Sequence, residues 1–392
     1  MTTSTADAPP TPASTANWPA VGALSLCVAT LIASEFMPVS LLTPIAGDLH
    51  VTEGQAGQAI AVSGLFAVVT SLLISTATRR LDRKAVLLAL TVVMILSGLM
   101  VSLAPNAAIF MAGRALIGVV IGGFWSMSAA TVMRLVPPAQ VPKALGLLNG
   151  GNALATTIAA PLGSFLGQYI GWRGAFFAVV PLGALTLAWQ FLVLPRLPAT
   201  EATRSGGVFR VLRRPGVPMG IAAVTVLFVG QFALFTYVRP FLETVTRVSV
   251  AMLSLILLLL GASGILGAWL MGRLLRRRLA PLLVAPPLAL AVIAAGLVIA
   301  GSQPLPAALL LAGWGLVSTA APVAWWTWLS RVLPDDAEAG GGLMVAMIQL
   351  AITFGATIGG LLVDASGYAA AFGAAGVILF GAGLLAAIGA RR

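Results

Sequence analysis

Long apolar runs alternate along the chain with short breaks rich in polar residues, glycine and proline. A helix needs about 20 apolar residues to cross the ~30 Å hydrocarbon core of a bilayer. On that measure the pattern predicts spans at 19–45, 55–77, 85–104, 107–135, 143–169, 173–194, 217–241, 249–275, 280–301, 305–332, 341–364 and 369–390. The runs are continuous, not ten-residue alternating segments, so the backbone is expected to satisfy itself as helices and not as a closed barrel. The longest polar connection runs from Pro195 to Pro215 and holds Arg196, Glu201, Arg204, Arg210, Arg213 and Arg214. It divides the chain into a tail at 1–17, a six-helix bundle at 18–194, a linker at 195–215 and a second six-helix bundle at 216–392. The expected class is therefore all-α membrane protein, with twelve transmembrane helices in two pseudo-symmetric bundles. The Thr-, Ala- and Pro-rich tail reads as disordered.

Composition agrees. Of 392 residues, 59% are hydrophobic and 8% charged, with mean hydropathy +1.03. A soluble domain carries about 25% charged residues, so lipid is the main solvent here. The net charge of +11 invites a nucleic-acid reading, but the placement of the cations argues against it. With the tail inside, the inner face holds Arg79, Arg80, Arg83, Lys84, Arg134, Lys143, the linker arginines, Arg273, Arg276, Arg277, Arg278, Arg331, Arg391 and Arg392. The outer face holds Arg173, Arg239 and Arg247. This bias predicts both termini in the cytoplasm and assigns the charge to topology and anionic lipid. Cys27, the sole cysteine, lies in the first span, so no disulfide framework or thiolate metal site is expected. The tail lacks Lys and Arg, so the basic start of a cleaved signal peptide is missing and the first span is expected to be retained.

The halves repeat. Glu35-Phe36 followed by Pro44 matches Gln231-Phe232 followed by Pro240 at identical spacing. Arg134 to Pro137 matches Arg331 to Pro334, and the same offset puts Asn152 on Gln349 and Thr156 on Thr353. Gly171-Trp172 with Phe176 matches Gly367-Tyr368 with Phe372. Paired halves of this kind are the mark of a transporter with a site at the repeat interface.

Charge inside the spans is sparse. Glu35 and Arg114 lie at similar depth, each about 12 Å below the outer surface. An intramembrane charge costs at least ~2.5–3.5 kcal/mol unless paired or hydrated, so both are functional candidates. Glu35 is expected to take and release a driving proton, with Arg114 as its coupling partner; a static ion pair is the alternative. The repeat partner Gln231 is neutral, so ionisable chemistry is assigned to the first half. Asn149, Asn152 and Thr156 share one face, as do Gln349, Thr353 and Thr357, which suits either a wet cavity or interhelical hydrogen bonds. Trp125, Phe232 and Phe235 are candidates to stack on a planar ligand, with core packing as the alternative; Trp326 and Trp328 read as packing or an interfacial belt. Gly118-x3-Gly122 and Gly163-x3-Gly167 allow close helix contact, while Pro38, Pro161 and Pro322 interrupt ladders mid-span. No phosphate loop, zinc-ligand cluster or nucleophile elbow occurs, so no cofactor, metal or catalytic residue is expected.

At these residues the chain resembles the major facilitator superfamily, drug/proton antiporter branch. Arg79 to Lys84 is similar to the family's basic inner loop, with Arg79 for the usual Asp and Asp82 for the second Gly; the resemblance implies a gating role for Arg79, Asp82 and Arg83. Gly113-Arg114-x3-Gly118 resembles the motif with the buried arginine, and Ala160-Pro161-Leu162-Gly163 the antiporter motif, which makes Pro161 a gating candidate. Glu35 to Pro44, Gly122 to Trp125, Met133 to Pro138, Ala160 to Gly167, Arg214 to Val217 and Gly230 to Ala233 together resemble the NepI-type purine ribonucleoside efflux pumps. That resemblance implies a monomer in the bacterial inner membrane that exports nucleosides such as inosine and guanosine in exchange for protons. Relatives in the same branch export sugars or drugs, and that alternative stays open.

Overall fold

The computed structural model describes residues 15–198, 211–275, 279–333 and 337–389. Most of the tail, residues 199–210 of the linker, Arg276 to Arg278, and Arg391 and Arg392 lie outside the described residues. Among those described, ten helices are long and apolar enough to cross a membrane. Two of them, Pro138–Val193 with 56 residues and Gly340–Gly389 with 50, are more than twice the length that ~30 Å of hydrocarbon needs.

Each of these long helices folds back at a glycine. Gly171 has φ 70 and ψ 168, and Gly367 has φ 79 and ψ 179. This is a region of backbone space essentially reserved for glycine. Contacts along the first span confirm the reversal. Ser25 Oγ donates to the Leu147 carbonyl at 2.9 Å, and Gly163 and Gly167 lie on Ser40 and Leu41, so the numbering of the two strands of chain rises together. Beyond Gly171, Arg173 pairs with Asp48 and Thr186 meets Thr30 at 3.4 Å, so the direction is opposite. In the second half Gly355 and Gly359 lie on Val229 and Ala233 going up, while Phe372 meets Phe241 and Gly389 meets Met219 going down. The chain therefore makes twelve crossings, with the repeated glycines as the tips of two loopless hairpins.

The spans are Trp18–Leu49, Glu53–Ala77, Arg83–Ser102 and Ala107–Leu135 for 1 to 4. Val141–Phe177 and Val179–Val193 make spans 5 and 6. Span 7 is Val217–Phe235 and a separate outer piece, Val238–Thr244. Val250–Leu274, Ala280–Ala300 and Pro304–Val332 are spans 8 to 10, and Ala337–Gly389 holds spans 11 and 12. Span 7, expected to be continuous to 241, breaks at Thr236-Tyr237 because Pro240 has no N–H for the Thr236 carbonyl. Short connections are possible because helix starts are capped: Thr52 forms a reciprocal box with Gln55, Asn106 accepts from Ile109 N, and Ser249 from Met252 N. Gly118 and Gly122 let span 4 lie against Ser63, Phe66 and Ala67 of span 2.

The two halves meet chiefly along two seams, span 2 on span 11 and span 5 on span 8, with a smaller contact between span 1 and the outer piece of span 7. Both seams are tight toward the Gly171 and Gly367 tips, called here the hairpin end. Ser254 bonds Ser164 at 2.9 Å, and the Thr157 hydroxyl donates to the Gly261 carbonyl at 3.5 Å. Toward the tail end the seams part: Asn149 and Gly150 are exposed, and nothing lies within 4 Å of where a side chain at Gly150 or Gly342 would start. The result is a cleft open at the tail end.

Candidate functional site

The site is built on span 1, where two prolines leave two carbonyls without helical partners. Pro38 has no N–H for Ser34, and Pro44 none for Ser40. In lipid such acceptors must be satisfied by other groups. Arg114, fully buried, supplies the first: its Nη1 donates to Ser34 O at 2.8 Å and Nη2 to Glu35 O at 2.9 Å. Its Nε reaches Ala59 O at 3.2 Å, and Nη2 also approaches Ser63 Oγ at 3.4 Å. The guanidinium thus bonds the Glu35 backbone, and the static ion pair considered from the sequence does not form. The proline supplies the reason, because an open carbonyl lies where the carboxylate was expected.

The Glu35 carboxylate, 4% exposed, is met instead from the other bundle by Gln349 Nε2 at 3.4 Å. Gln349 is the first of a file of cross-bundle contacts up span 11. Thr353 Oγ1 donates to Ala61 O at 3.2 Å, Thr357 Oγ1 to Gln58 Oε1 at 3.1 Å, and Asp364 accepts from Thr52 Oγ1 at 2.6 Å and Gly54 N at 3.0 Å. Glu35 and Gln349 stand at the end of this file nearest the cleft.

Aromatic rings close the space above. Phe232 stacks on Phe36 with centroids 6.0 Å apart and on Phe228 at 6.3 Å, and Phe235 meets both Phe36 and Phe232 edge-on. Phe232 is 4% exposed among these rings. Trp125 is half-buried, with its ring edge-on to Phe124 at 6.2 Å. Next to Phe232, Gln231 keeps a buried Oε1 with no hydrogen-bond partner. Asn149 Nδ2 donates to Leu145 O at 2.9 Å and Thr156 Oγ1 to Asn152 O at 2.8 Å, so both bond their own helix on the cleft side of span 5. Asn152 is partly exposed beside them.

The inner-loop candidates divide. Asp82 caps span 3 through Lys84 N at 2.7 Å and also accepts from Leu197 N at 3.0 Å, while Arg83 N donates back to Leu197 O at 2.9 Å. The loop is thereby tied to the segment leaving span 6. Arg83 Nη1 reaches Thr78 Oγ1 at 3.1 Å, and Arg79 is exposed. Pro161 is buried; it has no N–H for the Thr157 carbonyl, which lies against Gly261 of span 8.

Sequence reasoning missed Arg239, which it placed on the outer surface. It is 6% exposed, bonds the Ser40 carbonyl through Nη1, and pairs with Glu243 at 2.9 Å. The second half, expected to carry polar contacts without charge, thus holds a buried arginine of its own, paired with a partly buried glutamate. The signal was present: Pro44 opens the Ser40 carbonyl just as Pro38 opens Ser34. Tyr237 OH, fixed on Ala356 O at 2.8 Å, and the Tyr368 OH bond to Glu53 were missed as well.

Comparison with known proteins follows the same lines. A model of the family described as Major Facilitator Superfamily matches residues 24–343. A Pseudomonas aeruginosa protein named transcription regulatory protein OpdE is 56% identical over 384 residues, 97% of this chain and 96% of that one. Proteins named purine ribonucleoside efflux pump NepI from Shigella sonnei and Escherichia coli are 45% and 44% identical over 348 residues, 89% of this chain and 88% of theirs. A bacterial homologue of the human lysosomal transporter Spinster, in an inward-facing and unoccupied conformation, has TM-score 0.80 at 16% identity, covering 96% of this chain and 97% of that one. A D-xylose-proton symporter has TM-score 0.73 at 17% identity, covering 94% and 95%. At these identities the two structures speak for the fold.

Proposed function

The chain belongs to the major facilitator superfamily, and from that premise we propose that it is a proton-coupled efflux transporter for purine ribonucleosides such as inosine and guanosine. It is a secondary active transporter and not an enzyme. The observation that carries the substrate is the 44–45% identity to purine ribonucleoside pumps across 89% of the chain.

In this reading the bundles at 18–194 and 216–392 rock about the site, and the tail end is cytoplasmic, as the basic loops there favour. The chain works as a monomer in the bacterial inner membrane. A nucleoside enters the cleft from the cytoplasm. Trp125 offers its half-buried ring to the base, and Gln231 Oε1 accepts from a base or ribose donor. Asn149, Asn152 and Thr156 line the approach, with Gln349, Thr353, Phe232 and Phe235 at its upper end. Glu35 exchanges the proton. Because its carboxylate is held by Gln349 of the other bundle, gain or loss of that proton acts directly on how the bundles are joined. Arg79, Asp82, Arg83 and Pro161 act in gating at the seams and the inner loop. One proton moving through 100 mV supplies ~2.3 kcal/mol, roughly a fifty-fold gradient of a neutral solute, so no ATP is needed.

The regulatory name of the Pseudomonas relative is not carried over. Sequence readers of DNA present a solvated helix to the major groove, whereas the helices here are apolar spans. Inosine uptake by inside-out proteoliposomes, driven by an acid interior and abolished by an uncoupler, tests the proposal. Competition by pentoses or lipophilic cations, with none by nucleosides, would replace it with the sugar or drug reading.

A further inference from the structure

We propose that Arg239 and Asp364 are the two clasps that hold the outer side of the transport path shut, Arg239 by gripping the backbone carbonyl that Pro44 leaves open on span 1. The inference rests on the orientation proposed above, in which the hairpin end is external.

Two arginines do the same chemistry in this fold, each bonding a carbonyl that a proline leaves open. Arg114 satisfies the Ser34 carbonyl opened by Pro38, and its partners Ser34, Glu35, Ala59 and Ser63 all belong to its own bundle. That set travels as a unit when the bundles rock. Arg239 satisfies the Ser40 carbonyl opened by Pro44, but it comes from span 7 of the opposite bundle. This bond has to break when the outer side opens. Arg239 is prepared for release: its charge is held by Glu243 one turn along the same short helix, through Nε at 3.0 Å, so it keeps a partner in either state. The short helix is itself set apart from the rest of span 7 by the break at Thr236-Tyr237.

Asp364 works at the seam between spans 2 and 11. Its carboxylate sits at the N-terminus of span 2, taking Thr52 Oγ1 and Gly54 N. Unpaired N–H groups and the helix dipole favour an anion there. Here that anion is supplied across the bundle interface. Glu53 is met by Tyr368 OH from the same side. Gly54 lies directly on Gly360 and Asp364, so the seam closes to backbone contact and leaves no space for a side chain. Ser40 is 0% exposed and Arg239 6%, so both ends of the first clasp become hydrated only when the bundles part.

The test uses a Cys27→Ser background with Thr357→Cys as reporter, a seam position that bonds Gln58 across the bundles. Labelling by a membrane-impermeant maleimide is compared in right-side-out and inside-out vesicles. Arg239→Gln and Asp364→Asn are each expected to raise labelling from the outside about five-fold or more. Arg239→Lys and Asp364→Glu should return it toward the parent. Arg173→Gln is the control: its partner Asp48 is at the same end but within one bundle, so labelling should stay at the parental level. Parental labelling in the clasp variants, or an equal rise in Arg173→Gln, overturns the proposal. Where a clasp variant does not accumulate, a Thr52→Cys, Asp364→Cys pair replaces it. Oxidative cross-linking should arrest transport and a thiol reductant restore it; a cross-linked protein that still transports overturns the clasp. Labelling needs no substrate, so failure of the nucleoside reading would leave these results intact. A rise seen only in inside-out vesicles would reverse the orientation while keeping the clasps.

Discussion

Gln349 Nε2 stands 3.4 Å from the Glu35 carboxylate, and the two residues belong to different bundles. The contact lies where the span 2–span 11 seam gives way to the cleft. A group that exchanges a proton here changes both its own hydration and the strength of a bond between the moving parts.

Glu35→Gln should abolish inosine uptake driven by a pH gradient while preserving exchange of labelled for unlabelled inosine. Gln349→Ala should leave exchange within about two-fold and lower gradient-driven uptake about ten-fold, the scale of a hydrogen bond to a charged group. Parallel gradient and exchange assays on one preparation of proteoliposomes separate the two activities.

Arg114→Ala strands the Ser34 carbonyl, which Pro38 leaves without a helical donor, at ~1–3 kcal/mol for a buried acceptor left unpaired, and removes the bonds to Glu35 O and Ala59 O. A large fall in melting temperature in detergent is expected. Adding Pro38→Ala restores an N–H for Ser34 and should recover part of the loss. The double-mutant cycle should show a coupling of ~0.5–3 kcal/mol, and additivity would remove the link between Arg114 and Pro38.

Gln231→Leu should raise the KM for nucleosides about ten-fold with little change in melting temperature, since Oε1 has no protein partner to lose. Phe232→Ala should act the other way round. Its ring is buried among Phe36, Phe228 and Phe235, so stability falls by ~3–5 kcal/mol as for other buried aromatic truncations. Melting curves beside transport kinetics distinguish a ligand contact from a packing residue.

Gly171→Ala and Gly367→Ala should each cost ~1–3 kcal/mol by forcing a side chain into backbone space that excludes it, although open space surrounds both positions. Thermal unfolding of each variant, with Gly373→Ala as an open-space control, measures this.

These glycines show what the sequence made legible. The spans came from apolar length, and the match of Gly171 with Gly367 marked equivalent places in the halves before either turn was visible. Glu35 and Arg114 stood out because charge is rare in lipid. What escaped was who meets whom. Arg239 lies near a span end, where a cation ordinarily reaches water, and only the approach of span 1 buries it. Asn149 and Thr156 share a face, as their spacing says, yet bond their own helix, because a hydroxyl or amide in a helix can reach a carbonyl four residues back. Periodicity gives the face of a helix; the partner depends on a neighbour hundreds of residues away.

The hairpins at Gly171 and Gly367 carry a mechanical consequence. A turn made at one residue has no slack, so spans 5 and 6, and likewise 11 and 12, behave as stiff levers. Thrust applied to the cleft-lining arm reaches the outer arm at once. An epitope tag or protease site placed at either tip would lengthen the linkage and decouple the arms.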